Sequence, residues 1–207
     1  MDQRLRPIVG IPVKPFGVAK QRLHLRLDSA ARSVLGRQIA ARTAAVVAAA
    51  EAEVVIVTGD SGVRRWATSL ELDTIAERDG AGLDGAAAAL RDHALGVGRP
   101  WLVLHADLPL ISIAEVAAVI EPLRRGRPVI APSHDGGTSA LGGAGHIDFH
   151  YGTSSFHRHL RKAPTAAVIV SPGLAFDLDT VGDLDGILRH PRGIWIKQLL
   201  AAIDSPT

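Results

Sequence analysis

Four short apolar runs, PIVGIPV (7–13), EVVIVT (53–58), WLVLH (101–105) and RPVIAP (127–132), set the tightest limit on how this chain folds. Each has strand length and β-branched content, and long alanine- and leucine-rich segments of helical character separate the first three. The order strand, helix, strand, helix, strand predicts a mostly parallel sheet with helices on both faces. Helices are expected over 29–50, capped by Asp28 or Ser29, and over 61–71 and 84–96. Residues 132–165 are rich in glycine, histidine and serine and read as an insertion over one end of the sheet, with a late helix at 154–163. A strand at 165–170 and helices at 181–189 and 193–203 complete the expected order, all within a single domain spanning residues 1–207.

Composition narrows the chemistry. The chain has no cysteine, which excludes disulfide scaffolds, thiol nucleophiles and zinc–thiolate sites, so any metal sits on oxygen or imidazole. The first residues, MDQRLRPIVG, lack the apolar run of a signal peptide, and no segment approaches the ~20 apolar residues needed to span a bilayer. A cytoplasmic protein with no membrane partner is expected. Net charge is only +2, and the 23 basic residues are dispersed, RHLRK (158–162) being a short cluster, so nucleic acid is not the expected partner.

Open sheets of this kind bind ligands beyond the carboxyl ends of their strands. After the first strand, Lys14, Lys20 and Arg22 bracket a turn built on Pro15 and Gly17; this is not a Walker A loop, but three cations beside a flexible backbone suit a triphosphate. A literal GxGxxG occurs as GAGLDG (Gly80, Gly82, Gly85), well past the first strand-length run rather than directly after it. That placement suits general nucleotide binding better than a dinucleotide site. Asp107 lies two residues past the WLVLH run and reads either as a cap or as a cation ligand. In FDLDT, Asp177 and Asp179 are one residue apart, so on an extended chain they face the same side while Leu178 points into the core. Thr180 and Asp183 resemble a capping box starting the next helix, placing the pair at a strand's end. Two close carboxylates raise each other's pKa unless a cation compensates them, and hard oxygen ligands point to magnesium. His157 and His159, two apart on a helix, face different sides and do not chelate together; His150 and His157 are candidates for lining a pocket.

Taken in order and spacing, VKPFGVAKQRL, HADLPL, DGGTSAL, FHYGTSSFHRH and FDLDTVGDL resemble the 2-phospho-L-lactate or phosphoenolpyruvate guanylyltransferases (CofC/FbiD) of coenzyme F420 biosynthesis, over nearly the whole chain. The resemblance implies an α/β, Rossmann-like three-layer nucleotidyltransferase fold (GT-A or MobA-like) with a mostly parallel central sheet. It also implies a reaction joining GTP to a phosphorylated three-carbon acid with release of pyrophosphate. By resemblance, Asp107, Asp177 and Asp179 match metal-binding aspartates for Mg²⁺, and Lys14, Lys20 and Arg22 fall in the triphosphate-contacting stretch, with Lys14, Lys20 and Asp107 acting in catalysis. Gly82 and Asp84 fall in the nucleotide-binding loop, while Ser139, Gly152 and Ser155 match positions that hold the acid in a pocket formed by the 132–165 insertion. Two departures stand out: Asp84 replaces a familiar asparagine, and Ser139 stands where asparagine or threonine is usual.

A phosphate monoester with a second pKa of about 6 is mostly dianionic at pH 7, so such a reaction needs charge neutralisation and alignment rather than a general base. Rival readings are a molybdenum-cofactor or sugar-phosphate nucleotidylyltransferase, or a non-catalytic nucleotide-binding protein. The motifs do not distinguish phosphoenolpyruvate, 2-phospho-L-lactate and 3-phosphoglycerate. The alanine-rich helices suit packing on the sheet or on a second subunit, so a homodimer is one expected assembly.

Overall fold

A computed structural model describes residues 6–18, 20–77 and 82–204. The apolar runs form the sheet core: β1 (Ile8–Pro12), β2 (Glu53–Thr58), β4 (Trp101–Leu104) and β5 (Val129–Pro132), joined by β3 (Asp73–Ala76), β6 (Thr138–Gly143) and β7 (Ala167–Val168). The seven strands lie in the order β3-β2-β1-β4-β6-β5-β7. All neighbouring pairs are parallel except those made by β6, which runs antiparallel to both β4 and β5.

Period-two side chains divide the core between the two faces of the sheet. Val9 and Ile11 of β1, with Val54 and Ile56 of β2, pack against α1 (Ser29–Ala49), α2 (Ser61–Ser69) and α4 (Ile113–Arg124). Ile8, Val55 and Val57 point the other way, toward Ala86, Ala87 and Leu90 of α3 (Gly82–Gly96). Contact between α3 and β1 is close enough to require glycine: a Cβ on Gly10 would lie 2.5 Å from Leu90 Cδ2. A third apolar cluster joins Leu35 and Ile39 of α1 to Leu184 and Ile187 of α7 (Val181–Arg189) and Ile196 of α8 (Ile194–Asp204). α1 starts where its cap dictates, with the Asp28 carboxylate accepting the Ala31 N–H at 2.7 Å.

Three expectations need correction. Residues 138–143 are not part of a loop over the end of the sheet but a fully buried strand inside it. Their composition, TSALGG, carries no β-branched run because the strand is wedged between β4 and β5, where bulk is excluded; a Cβ on Gly142 would lie 2.7 Å from the Trp101 carbonyl. The strand expected over 165–170 pairs only at Ala167–Val168, as a short edge partner of β5. Residues 177–179 belong to no strand, and a four-residue helix, α6 (Pro172–Ala175), precedes them. Helix α4 and strand β3 have no counterpart among the elements expected from the sequence.

Candidate active site

Because β6 runs antiparallel, its first residues lie at the edge where β1, β4 and β5 end, and this edge collects the functional candidates. Beyond β1, Phe16 and Leu23 are buried and anchor the basic loop. The Phe16 ring meets Trp66 edge-on at 5.0 Å and carries Arg37 over its face at 5.3 Å. With Phe16 and Leu23 pinned, the loop turns Lys14, Lys20 and Arg22 onto a cleft of about 490 Å³, which His105, Asp107 and Asp179 also line. Lys20 adopts a left-handed backbone (φ 57°) and donates to Asp107 Oδ2 at 2.7 Å from a side chain only 9% exposed. Arg22 Nη1 donates to Asp179 Oδ2 at 2.7 Å, but both side chains of this pair are well exposed and it contributes little stability.

Asp107 follows β4, and its carbonyl accepts the Leu178 N–H at 3.0 Å, fixing the FDLDT segment beside it. Leu178 is fully buried, so the extended chain alternates as its sequence requires. The expected capping box is present: Thr180 Oγ1 accepts the Asp183 N–H, and the Asp183 carboxylate accepts the Thr180 N–H. The two aspartates nevertheless have different surroundings. Asp179 is turned to Arg22, whereas Asp177 lies beside Asp107 and His134. Burial, and then the Asp107 charge, push the Asp177 pKa above the ordinary carboxylate value. Burial, the largest influence, pushes Asp107 the same way, but the Lys20 ammonium, the neighbouring His105 and hydrogen bonds together hold Asp107 below the ordinary value.

Asp107 Oδ1 and Asp177 Oδ1 are both buried without a hydrogen-bond partner, Asp177 Oδ1 having only the His134 ring nitrogen beside it at 3.2 Å. Buried carboxylate oxygens are normally satisfied, so two orphaned ones on neighbouring aspartates fit a hard divalent cation. Magnesium takes one or two carboxylates together with substrate phosphates and water, which suits this pair. Among the described residues no three histidine or carboxylate side chains converge on one metal position, and Asp179 stands outside the pair.

Near the start of β6, Ser139 is buried, its hydroxyl donating to the Ala131 carbonyl at 3.3 Å and its carbonyl accepting the His105 N–H at 2.9 Å. α5 (Ser155–Lys162) begins after Gly152, which has φ +112° and whose carbonyl accepts the Ser155 N–H at 3.1 Å. Ser155 Oγ bonds Thr138 Oγ1 at 3.1 Å, and Thr138 Oγ1 lies 3.0 Å from His159 Nδ1. His159 Nε2 accepts the His150 N–H at 2.8 Å, so the proton of the neutral ring is on Nδ1. Burial holds the His159 pKa down to about 4. Asp84, exposed in the first turn of α3, accepts the Tyr151 N–H at 2.8 Å and ties that helix to the Gly152 turn. Gly82 opens α3 with φ +58°, while Gly80 of GAGLDG lies outside the described residues. His157 is exposed on α5. The cleft thus gathers Lys14, Lys20, Arg22, Asp107 and Asp179, with Asp177 adjoining; Ser139 and Ser155 are set back in buried hydrogen bonds.

Two residues of this neighbourhood carry no signal in the sequence. His134, in the turn after β5, reaches Asp177 and Asp183. Glu115, in α4, accepts the Gly173 N–H at 2.8 Å and pairs with Arg192, bracing the segment that leads into Asp177. Neither sits in a local motif that marks these partners.

The family described as "Guanylyl transferase CofC like" matches residues 8–205. This chain belongs to that family. Among its relatives, the phosphoenolpyruvate guanylyltransferase of Rubrobacter xylanophilus is 35% identical over 88% of this chain and 96% of its own length. The 2-phospho-L-lactate guanylyltransferase of Methanothermobacter thermautotrophicus is 28% identical over 92% of this chain and 87% of its own. Solved structures show the same fold at low identity: a candidate nucleotide-diphospho-sugar transferase from Desulfovibrio desulfuricans G20 aligns with a TM-score of 0.74 at 18% identity, covering 94% of this chain and 95% of that one. A nucleotidyl transferase from Methanothermobacter aligns at 0.56 and 15%, covering 93% and 99%. The Rossmann-like nucleotidyltransferase architecture expected from the motifs is therefore the one found, and the CofC-like chain is a transferase of the guanylyl class. None of its described helices is long and apolar enough to cross a membrane.

Proposed function

We propose that this chain joins the guanylyl group of GTP to the phosphate of a phosphorylated three-carbon acid, phosphoenolpyruvate or 2-phospho-L-lactate, as a step in coenzyme F420 biosynthesis. The observation that carries this reading is the pair Asp107 and Asp177, with one orphaned buried oxygen each, beside a cleft onto which Lys14, Lys20 and Arg22 converge in a chain of this family. An oxygen of the acid's phosphate attacks the α-phosphorus of GTP; a new phosphoanhydride bond forms, the bond between the α- and β-phosphates breaks, and pyrophosphate leaves. The attacking phosphate is already deprotonated near neutral pH, so no side chain has to take a proton from it.

Lys14, Lys20 and Arg22 hold the triphosphate and offset its charge, which matters because two anions must approach in line. Asp107 and Asp177 would hold Mg²⁺, with Asp179 at the cleft wall beside them. When bound, the ion supplies charge neutralisation at the α-phosphate and the leaving pyrophosphate. Gly82 and Asp84 lie where the nucleotide meets the start of α3. The exposed turn at Gly152 that leads into α5 receives the acid, with Ser139 and Ser155 supporting the wall behind it.

The test is pyrophosphate release from GTP and MgCl₂ with phosphoenolpyruvate, 2-phospho-L-lactate or 3-phosphoglycerate in turn, with ATP and CTP as controls. Release with GTP and one acid is the expected result. A folded sample that binds GTP yet releases pyrophosphate with none of the acids would overturn the proposal.

A further inference from the structure

His134 has no part in the roles above, yet its ring meets four residues of the segment that carries the aspartates. Its backbone N–H donates to the Ala175 carbonyl at 2.9 Å, and its ring Nδ1 lies 3.2 Å from the same oxygen. Nδ1 is also 3.2 Å from Asp177 Oδ1, and Nε2 is 3.2 Å from Asp183 Oδ1. The ring stacks on Phe176 with centroids 5.7 Å apart and planes at 24°. Its own backbone is held in a closed turn: Ser133 N–H donates to the Gly137 carbonyl at 3.1 Å, and Asp135 Oδ1 accepts from Ser133 Oγ at 2.5 Å and from the Gly137 N–H at 2.8 Å.

The partners on the far side of the ring are fixed too. Asp183 Oδ2 accepts the N–H groups of Asp179 and Thr180 and the Thr180 hydroxyl, at 3.0, 2.6 and 2.9 Å. Asp177 is different: its Oδ1 is buried and accepts no well-aligned hydrogen bond among the described residues, the His134 Nδ1 at 3.2 Å being the polar group beside it. The terminal torsion of an aspartate is soft, and like-charge repulsion from Asp107 favours turning the Asp177 carboxylate away. The imidazole stands against that motion.

We propose that His134 is a positioning residue for the cation site: its ring, braced by Ala175, Phe176 and Asp183, keeps the Asp177 carboxylate turned toward Asp107. This rests on reading Asp107 and Asp177 as the cation-holding pair. Groups that orient metal-binding carboxylates in this way typically contribute 10- to 100-fold to metal affinity.

The experiment measures Mn²⁺ binding to the full chain by isothermal titration, without nucleotide, for wild type, His134→Phe, His134→Gln and Asp177→Asn, alongside melting temperature. His134→Phe keeps the stacking on Phe176 and loses both nitrogens. It should weaken Mn²⁺ binding about 10- to 100-fold with little change in melting temperature, and His134→Gln should recover part of the loss. In turnover, the half-saturating metal concentration should rise while kcat at saturating metal is kept. If Asp177→Asn abolishes Mn²⁺ binding and neither His134 variant weakens it, the positioning role is wrong and the ring is only a structural latch. If wild type binds no Mn²⁺, or Asp177→Asn binds it as wild type does, the cation-site reading itself fails, and the positioning role with it.

Discussion

Replacing Glu115 by glutamine tests how the segment carrying Asp177 is held. Glu115 caps α4, its Oε2 accepting from the Ser112 N–H at 2.9 Å and the Ser112 hydroxyl at 2.6 Å. It pairs bidentately with Arg192, at 2.7 and 3.2 Å, and its Oε1 accepts the Gly173 N–H at 2.8 Å at the start of α6. The side chain is only 12% exposed. Burial works against the charge, but the hydrogen bonds from Arg192, Ser112 and Gly173 outweigh it and hold the carboxyl at about 2, against an ordinary 4.5. Since the folded pKa is depressed, the stabilisation is fully present above about pH 4.5 and is lost as pH falls toward 2. The difference corresponds to about 3 kcal/mol at neutral pH, and linkage removes about 1.4 kcal/mol of it by pH 3.5. Glu115→Gln should therefore lower the unfolding free energy by about 2–3 kcal/mol at pH 7. Urea unfolding followed by circular dichroism, run on both proteins at pH 7 and pH 3.5, isolates the effect, because every other titrating group is common to the two. The gap should narrow by about 1.4 kcal/mol at the lower pH. A gap of the same size at both pH values would refute the ion-pair argument.

Other expectations concern the site and the core. Asp177→Asn should reduce pyrophosphate release by at least ~100-fold while leaving the melting temperature equal or higher, since it removes a buried charge that repels Asp107; near-normal turnover would remove Asp177 from the metal site. His159 should remain neutral on acidification from pH 6.5 to about 4, where its depressed pKa lies, so stability from this group falls as pH drops through that window. Ring-carbon NMR shifts report this directly, and a midpoint near 6.5 would contradict the buried network with Thr138 and His150. Gly10→Ala should cost about 1–3 kcal/mol in denaturant unfolding by forcing Leu90 away from β1; an unchanged midpoint would mean that α3 yields freely.

Much of the molecule was legible in the chain because its signals are local. Apolar runs bounded by turns marked β1, β2, β4 and β5, and caps one turn long marked the starts of α1 and α7 at Asp28 and Thr180. Spacing alone put Leu178 inward between the two aspartates, and the ordered motifs were enough to indicate the family. What remained hidden depends on partners far along the chain. TSALGG becomes a central strand only because β4 and β5 leave a narrow slot with free backbone groups on both sides, a condition that its small residues do not announce. The different surroundings of Asp177 and Asp179 are set by Asp107, His134 and Arg22, which come from three other segments. Periodicity and capping act within a few residues and so can be read from sequence. Strand order, the meeting of Asp107 with Asp177, and the clasp of His134 arise from hydrogen bonding and charge across the closed fold, and only the tertiary structure decides them.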